Sequence, residues 1–209
     1  MEIDPFPPED FDDWAGSYDQ DVLDESRFPF IGYQQVLETV LRMADARRGM
    51  RVLDLGTGTG NLAASFVALG CEVWATDFSA QMLALAHLKL PQVQLIQADV
   101  RQGWPTGLDF TFDRIVSAYV FHHFDLNNKV RLSVEFARHL APQGKLVLAD
   151  LAFPHQAGLE AMRRLAGEDW EEEHYWLADE TLVAYQRAGL AAQFTPVSNC
   201  AGVFEVQPL

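Results

Sequence analysis

The densest chemistry in the sequence lies where Asp54-Leu55-Gly56-Thr57-Gly58-Thr59-Gly60 sets three glycines at alternate positions, the first two residues beyond an acid. Glycine reaches backbone conformations closed to other residues and leaves no Cβ in the way of a ligand. Such a run after an apolar stretch reads as a turn that cradles something. The plainer reading, a tight strand–helix turn with no ligand, is weaker when three glycines alternate. A dinucleotide site would call for GxGxxG, with a pyrophosphate on the helix N-terminus. Counting from Gly56, the sixth position is Asn61 and not glycine. The spacing suits a ligand without phosphates, whose amino-acid part lies against the turn.

Two further acids, Asp77 and Asp99, each follow a short apolar run. A carboxylate at the first place can accept hydrogen bonds from both hydroxyls of a ribose. One at the second can take a donor such as an adenine amino group. Singly, such acids are loop residues or N-caps. On consecutive strand ends behind the glycine turn they mark a nucleoside site. His122 and His123 follow a later apolar run. Histidine titrates near neutral pH, so either could take a proton from a reacting group. Otherwise one packs against its loop and the other bonds a carbonyl. No third histidine or acid shows ligand spacing, so no metal is expected. Trp170, Tyr175 and Trp176, with Trp14 and Tyr18, are candidate lid and pocket aromatics, Trp14 being expected instead in the core. His174 and Tyr175 are candidates for an acceptor pocket. The acidic run from Glu168 to Glu173 reads as a solvated helix face or as a preference for a cationic acceptor.

These residues need elements to hold them. Arg51–Leu55, Glu72–Thr76, Val93–Gln97, Asp113–Ser117 and Lys145–Leu151 read as buried strands, the last after a Pro142-Gln143-Gly144 turn. Helices are expected over 61–69, 79–88 and 127–140, with Ser79 as an N-cap. Short apolar strands alternating with helices imply right-handed crossovers and a parallel sheet covered on both faces. Ligands of such sheets bind outside the carboxyl ends of the strands, at the switch point. Ahead of the first strand, Phe11, Trp14, Ala15 and Tyr18 recur at helical spacing within an acidic leader, and a second helix is expected over 32–46. Helices over 156–166 and 179–188 and a terminal hairpin, Ala192–Thr195 with Gly202–Val206, complete the pattern.

Composition bounds the partners. The 209 residues carry 30 acids against 15 basic residues, a net charge of −15, with no basic run. A nucleic acid would be repelled over most of such a surface, so a small molecule is the expected partner. Two cysteines are too few for a disulfide scaffold. With no apolar run of transmembrane length and no leader-like N-terminus, no membrane and a cytoplasmic setting are expected.

At these residues the sequence resembles the class I S-adenosylmethionine (SAM)-dependent methyltransferases. Val52 to Gly60 is similar to the family's first motif, Asp77 and Asp99 fall where its next acids fall, and Ser117 to Phe124 resembles its fourth-strand motif. Asp13-Trp14-Ala15 with Tyr18-Asp19, the histidine pair, and Glu173-His174-Tyr175 resemble more closely the YrrT-type bacterial methyltransferases. The resemblance implies a single α/β domain over 1–209. Its sheet would be doubly wound and mainly parallel, with seven strands, a terminal antiparallel hairpin and N-terminal helices. Residues 1–49 would form a lid, 50–151 the cofactor core and 152–209 the substrate side. It further implies that Asp54, Gly56, Gly58 and Gly60 face the methionine part of SAM, Asp77 the ribose and Asp99 the adenine. Ala118 and Tyr119 would lie near the methionine end, Tyr18 would close over the cofactor, and Thr57, Phe78 and Val100 complete the set. The function implied is in-line methyl transfer to a small molecule, releasing S-adenosylhomocysteine (SAH), by a monomer or homodimer, with His122 or His123 as base where one is needed. A SAM-binding protein without catalysis and a nicotinamide-dependent oxidoreductase are the alternatives. Asn61 counts against the second. The lid and the stretch 153–176, acidic with spaced aromatics, are expected to be the least stable segments.

Overall fold

Strand β1 (Arg51–Leu55) is the hub of the sheet, with four of its five residues fully buried. Val52 faces one side and Leu53 and Leu55 the other, so the strand is apolar on both faces, as a central parallel strand must be. The computed structural model describes residues 7–209; Met1–Phe6, with Glu2 and Asp4 of the acidic leader, lie outside the described residues. In chain order the elements are α1 (Pro8–Asp21), α2 (Tyr33–Ala44), β1, α3 (Asn61–Ala68), β2 (Glu72–Asp77), α4 (Ala80–Lys89), β3 (Gln94–Gln97), β4 (Phe112–Ala118), α5 (Leu126–Ala137) and β5 (Leu140–Phe153). Then follow α6 (Gln156–Ala166), β6 (Trp176–Leu177), α7 (Ala178–Arg187), β7 (Leu190–Pro196) and β8 (Ala201–Pro208).

The sheet runs β3-β2-β1-β4-β5-β8-β7, with the two-residue β6 pairing to β5 off this path. The first five strands are parallel, and β8 enters antiparallel between β5 and β7. This is the expected mixed α/β architecture. Strand order reverses between β1 and β4, so their carboxyl ends splay and leave a crevice. Val52, Ala75, Val116 and Val147 belong to a core shared with α2 and α3. Leu53, Ile115 and Leu148 belong to a second core with Leu132 and Phe136 of α5 and Tyr185 of α7. The carbonyls at the end of α2 would otherwise be open. Arg114, buried on β4, donates its guanidinium to those of Ala44 and Asp45.

Two local expectations need correction. The Pro142-Gln143-Gly144 turn does not precede β5 but is a bulge within it: Phe112 pairs with Leu140, while Arg114 already pairs with Lys145. Gln143 takes a φ of 65°, which absorbs the extra residues. Trp176, expected as a pocket aromatic, is 1 % exposed and packs on Phe121 and Phe204 in the core. Among the described residues, no helix is long and apolar enough to cross a membrane.

Leu53 is 0 % exposed and sits in the second core, one residue before the site's first acid. Leu53→Ala should cost about 2–5 kcal/mol through lost burial and the cavity left behind. Urea unfolding should show a lower midpoint at an unchanged slope.

Candidate active site

The chain leaves β1 in a left-handed turn. Gly56 has φ +68°, and a Cβ there would stand 2.4 Å from Val120 Cγ2, so both conformation and space exclude a side chain. Gly58, at φ +55°, faces Tyr18 of α1 and Met82 of α4 across a gap. Its amide donates to Asp77 Oδ2 at 2.8 Å, and the Ser79 amide donates to Asp77 Oδ1 at 2.9 Å. Asp77 thus pins the glycine turn to the start of α4. Asp54, 1 % exposed, accepts from the Thr57 hydroxyl at 2.7 Å through Oδ2, and the Ala63 backbone amide of α3 also favours its ionised form. Burial pushes the Asp54 carboxyl up to about 7, with the Asp77 charge adding and the Thr57 bond offsetting part of the rise. Burial likewise lifts Asp77 to about 6 against the pull of its amide bonds, and Asp12 adds to the rise. Two buried carboxyls, both with raised affinity for protons, make this end of the crevice strongly acceptor-rich.

The crevice is a cavity of 740 Å³. Its lining includes Tyr18, Gly56, Gly58, Asp77, Phe78, Asp99, Val100, Ala118 and Tyr119 from the sequence-derived cofactor set. Asp54, Thr57 and Gly60 support the turn from beneath and are buried. Asp99 lies at the rim; both its oxygens meet Arg101 Nε at 2.9 Å, and Oδ1 also caps the Arg101 amide at 2.9 Å. Tyr119 has φ 59°, a left-handed conformation costly for a tyrosine. It ends β4 with its ring stacked on Tyr33, the centroids 5.5 Å apart.

Helix α1 roofs this end. Asp12 accepts from the Ser79 hydroxyl at 2.5 Å and the Gln81 amide at 3.1 Å, while Asp19 accepts from Thr59 Oγ1 at 2.5 Å and Asn61 Nδ2 at 3.1 Å and pairs with Lys89. The acidic leader is therefore a two-point latch, one acid for the start of each helix beside the turn. Trp14 is not a core residue as expected: half-buried, it lines the cavity, meets Tyr18 edge-on at 4.8 Å and donates to Asp21 at 2.7 Å. Only Ala15 of α1 is fully buried.

At the other end of the cavity stand His122, His123, Glu173 and Tyr175. His122 Nδ1 donates to Asp150 Oδ1 at 2.6 Å, and Asp150 also accepts from Trp176 Nε1 at 3.1 Å. Burial alone would raise Asp150; the facing His122, Lys129 and Trp176 outweigh it and hold the carboxyl below its usual range. Lys129, 2 % exposed, donates to the His174 carbonyl, and the His174 amide donates to the His122 carbonyl at 2.9 Å. The loop carrying Glu173 is thereby tied to the histidine turn. His174, expected in the pocket, has its side chain exposed and outside the lining, because its backbone makes the tie. The expectation of no third metal-type ligand also fails: Glu173, remote in sequence, brings a carboxylate to the pair, with ligand atoms of His122, His123 and Glu173 all within 4.8 Å of one another. Asp150 and Lys129 carry no local signal, reading as ordinary strand and helix residues, while Glu173 stands in the sequence only within an acidic run and beside His174 and Tyr175.

A family profile described as methyltransferase domain matches residues 52–144. An uncharacterized methyltransferase of Geobacillus kaustophilus is 35% identical over 208 residues, covering 93% of this chain and 94% of its own. The uncharacterized methyltransferase YrrT of Bacillus subtilis is 31% identical over 207 residues with the same coverage, 93% and 94%. The solved DhpI–SAM–HEP complex superposes with a TM-score of 0.72 at 21% identity, over 96% of this chain and 95% of that one. The chain belongs to the class I SAM-dependent methyltransferases, in the company of the YrrT-type proteins.

If the two acids latch α1, Asp12→Ala and Asp19→Ala should each speed amide exchange in 8–21 several-fold, with the strands of the sheet unchanged. Exchange in α1 that ignores both substitutions would mean that its aromatic contacts alone hold it.

Proposed function

We propose that the protein binds SAM between the glycine turn and α1 and transfers its methyl group to a small-molecule acceptor lodged against His122, His123 and Tyr175. The observation that carries this reading is the side-chain-free turn at Gly56 and Gly58, which lines the cavity beside Asp77 with Asp54 buried behind it. An ammonium-bearing amino-acid part suits so acidic an end, and the phosphates of a dinucleotide would be repelled by Asp77 and by Asp54 behind the turn. SAM supplies a methyl group already activated on a sulfonium, so the protein's work is to align it and exclude water. The cavity lies within the range of about 300–1,000 Å³ usual for small-molecule sites.

Each residue then has a task. Asp77, with lone pairs left beyond its two amide bonds, accepts the ribose hydroxyls, and Phe78 flanks them. Asp99 and Val100 meet the adenine, Asp99 with capacity left beside Arg101. Tyr18 and Trp14 close the roof, and Ala118 and Tyr119 border the methionine end. His122 and His123 stand on the acceptor side, His122 aligned by Asp150, where an acceptor's proton would leave.

Calorimetry should find SAM and SAH binding and no measurable NAD binding; NAD binding without SAM would overturn the reading. Labelled SAM with a metabolite extract would reveal the acceptor. Asp77→Ala should weaken SAH at least tenfold, since one hydrogen bond to a charged group is worth about 1.5–3 kcal/mol. It should also lower thermal stability, because the Gly58 and Ser79 amides lose their acceptor.

The raised carboxyls give a pH dependence of definite sign. Without ligand, Asp54 titrates at about 7 and Asp77 at about 6. The donors of the cofactor favour both ionised forms, so binding lowers both values and releases protons. Affinity should be full above about 7 and fall as pH falls through this window. Calorimetry between the two values, in buffers of different ionisation enthalpy, should register proton release on SAH binding. Binding without proton exchange would contradict the assigned roles.

A further inference from the structure

At the acceptor end, the two histidines and the glutamate form an arrangement that methyl transfer as such does not require. His122 and His123 are adjacent, with ring centroids 4.0 Å apart, and Glu173 Oε2 reaches to 3.6 Å from His123 Nδ1. That oxygen is buried and has no hydrogen-bond partner among the described residues. His122 gives its Nδ1 to Asp150, so its Nε2 is the nitrogen left for the cavity. A histidine whose far nitrogen is held by a carboxylate is the usual support for a metal-binding imidazole, since it fixes the ring and raises its basicity. Asp150 is itself held, by Trp176 Nε1.

We infer that His122, His123 and Glu173 bind a divalent cation of the zinc class at the acceptor end of the cavity. Two imidazoles and one carboxylate are a donor set that catalytic zinc uses, with a fourth position left open. The ligand atoms lie within 4.8 Å of one another; bonds of about 2.0–2.1 Å would bring them to about 3.4 Å. Rotation of the Glu173 side chain supplies the closure, while its backbone stays tied through His174 to His122 and Lys129. The open position faces the cavity that the three side chains line.

A metal there deepens the reading of the acceptor, and in that respect alone it rests on the proposed methyl transfer. A thiol or hydroxyl that displaces the metal-bound water gives up its proton to that water, leaving as hydronium, and remains on the metal as the anion. With the metal bound, this route to solvent replaces proton transfer to His122, whose Nε2 the metal then occupies. Acceptors with an ionisable sulfur or oxygen are the class such a site would take.

The test is zinc binding to tag-free protein stripped with a chelator and dialysed, titrated in competition with a chromophoric chelator. One equivalent should bind, and His122→Gln and Glu173→Gln should each weaken it at least tenfold. Asp150→Asn should weaken it about tenfold or more. His139→Gln and His155→Gln, away from the cavity, should leave it unchanged. Cobalt in place of zinc should give visible absorption bands that Glu173→Gln alters; this variant, on a loop, serves if His122→Gln does not fold. SAH calorimetry on the same wild-type sample separates the two readings. SAH binding without stoichiometric zinc overturns the metal site and leaves methyl transfer standing. Zinc binding without SAH does the reverse. Zinc binding that survives both His122→Gln and Glu173→Gln places the metal elsewhere and overturns the inference.

Discussion

The site hangs on one carboxylate that binds two amides. Asp77, at the end of β2, takes the Gly58 amide from the loop beyond β1 and the Ser79 amide at the head of α4. The glycines make the turn sterically possible; they do not choose one shape among the many open to them. Asp77 makes that choice from the neighbouring strand, and the parallel register that pairs Leu55 with Thr76 delivers it there. The turn, the helix and the acceptor-rich crevice therefore follow from a single strand pairing. Because Asp77 also lines the cavity, the group that shapes the loop is one that a ligand held there would meet. Structure and binding cannot be separated cleanly at this residue.

The interior charge pattern has a related logic. Asp54 and Asp77 are both buried, which raises the affinity of both for protons; the Asp77 charge further raises that of Asp54, and Asp12 that of Asp77. A crevice of this kind is poorly matched to itself: it holds acceptors without enough donors. Burying such groups is a cost that a donor-rich ligand relieves. Asp12 and Asp19 on α1 contrast with them, since both are matched, to hydroxyl, amide and ammonium donors on the helices beside the turn. The acids that face donors close the roof, and the acids left wanting donors lie beneath it.

That division explains what could be read from the sequence. The strands, the glycine turn, Asp77 and the crevice were legible because local patterns set them: apolar runs, left-handed turns and strand-end polarity. Residues whose partners lie far along the chain were not. Asp150 sits in an apolar strand and Lys129 in an amphipathic helix, and nothing local distinguishes either from a surface-facing residue. They are held together by burial, by His122 and by the His174 carbonyl. Trp14 was misjudged for the same reason. Its spacing marks a docked helix face, and periodicity does not tell whether that face meets a core or a cavity. His174 was misjudged in the opposite sense, because its contribution is made by backbone atoms that no side-chain argument can see.

The two ends of the cavity thus have different origins in the chain. The end at the glycine turn is made by β1, β2 and the turn between β1 and α3, where consecutive elements are neighbours and geometry follows from the sheet. The end at the histidine pair is assembled from the turn after β4, the buried end of β5 and a loop ahead of β6. It stays in register only through side chains and a few backbone bonds across them: Asp150 to His122, Lys129 to the His174 carbonyl, and the His174 amide to the His122 carbonyl. Changes in the loop before β6 would alter the end at the histidine pair without disturbing the strand pairing that shapes the end at the glycine turn. A sheet that fixes one ligand and a tethered loop that fixes the other can keep a reaction constant while the acceptor varies. The recognisable part of the sequence accordingly reports the family, and under the proposed function the acceptor would be read from His122, His123, Glu173 and the ties that hold them.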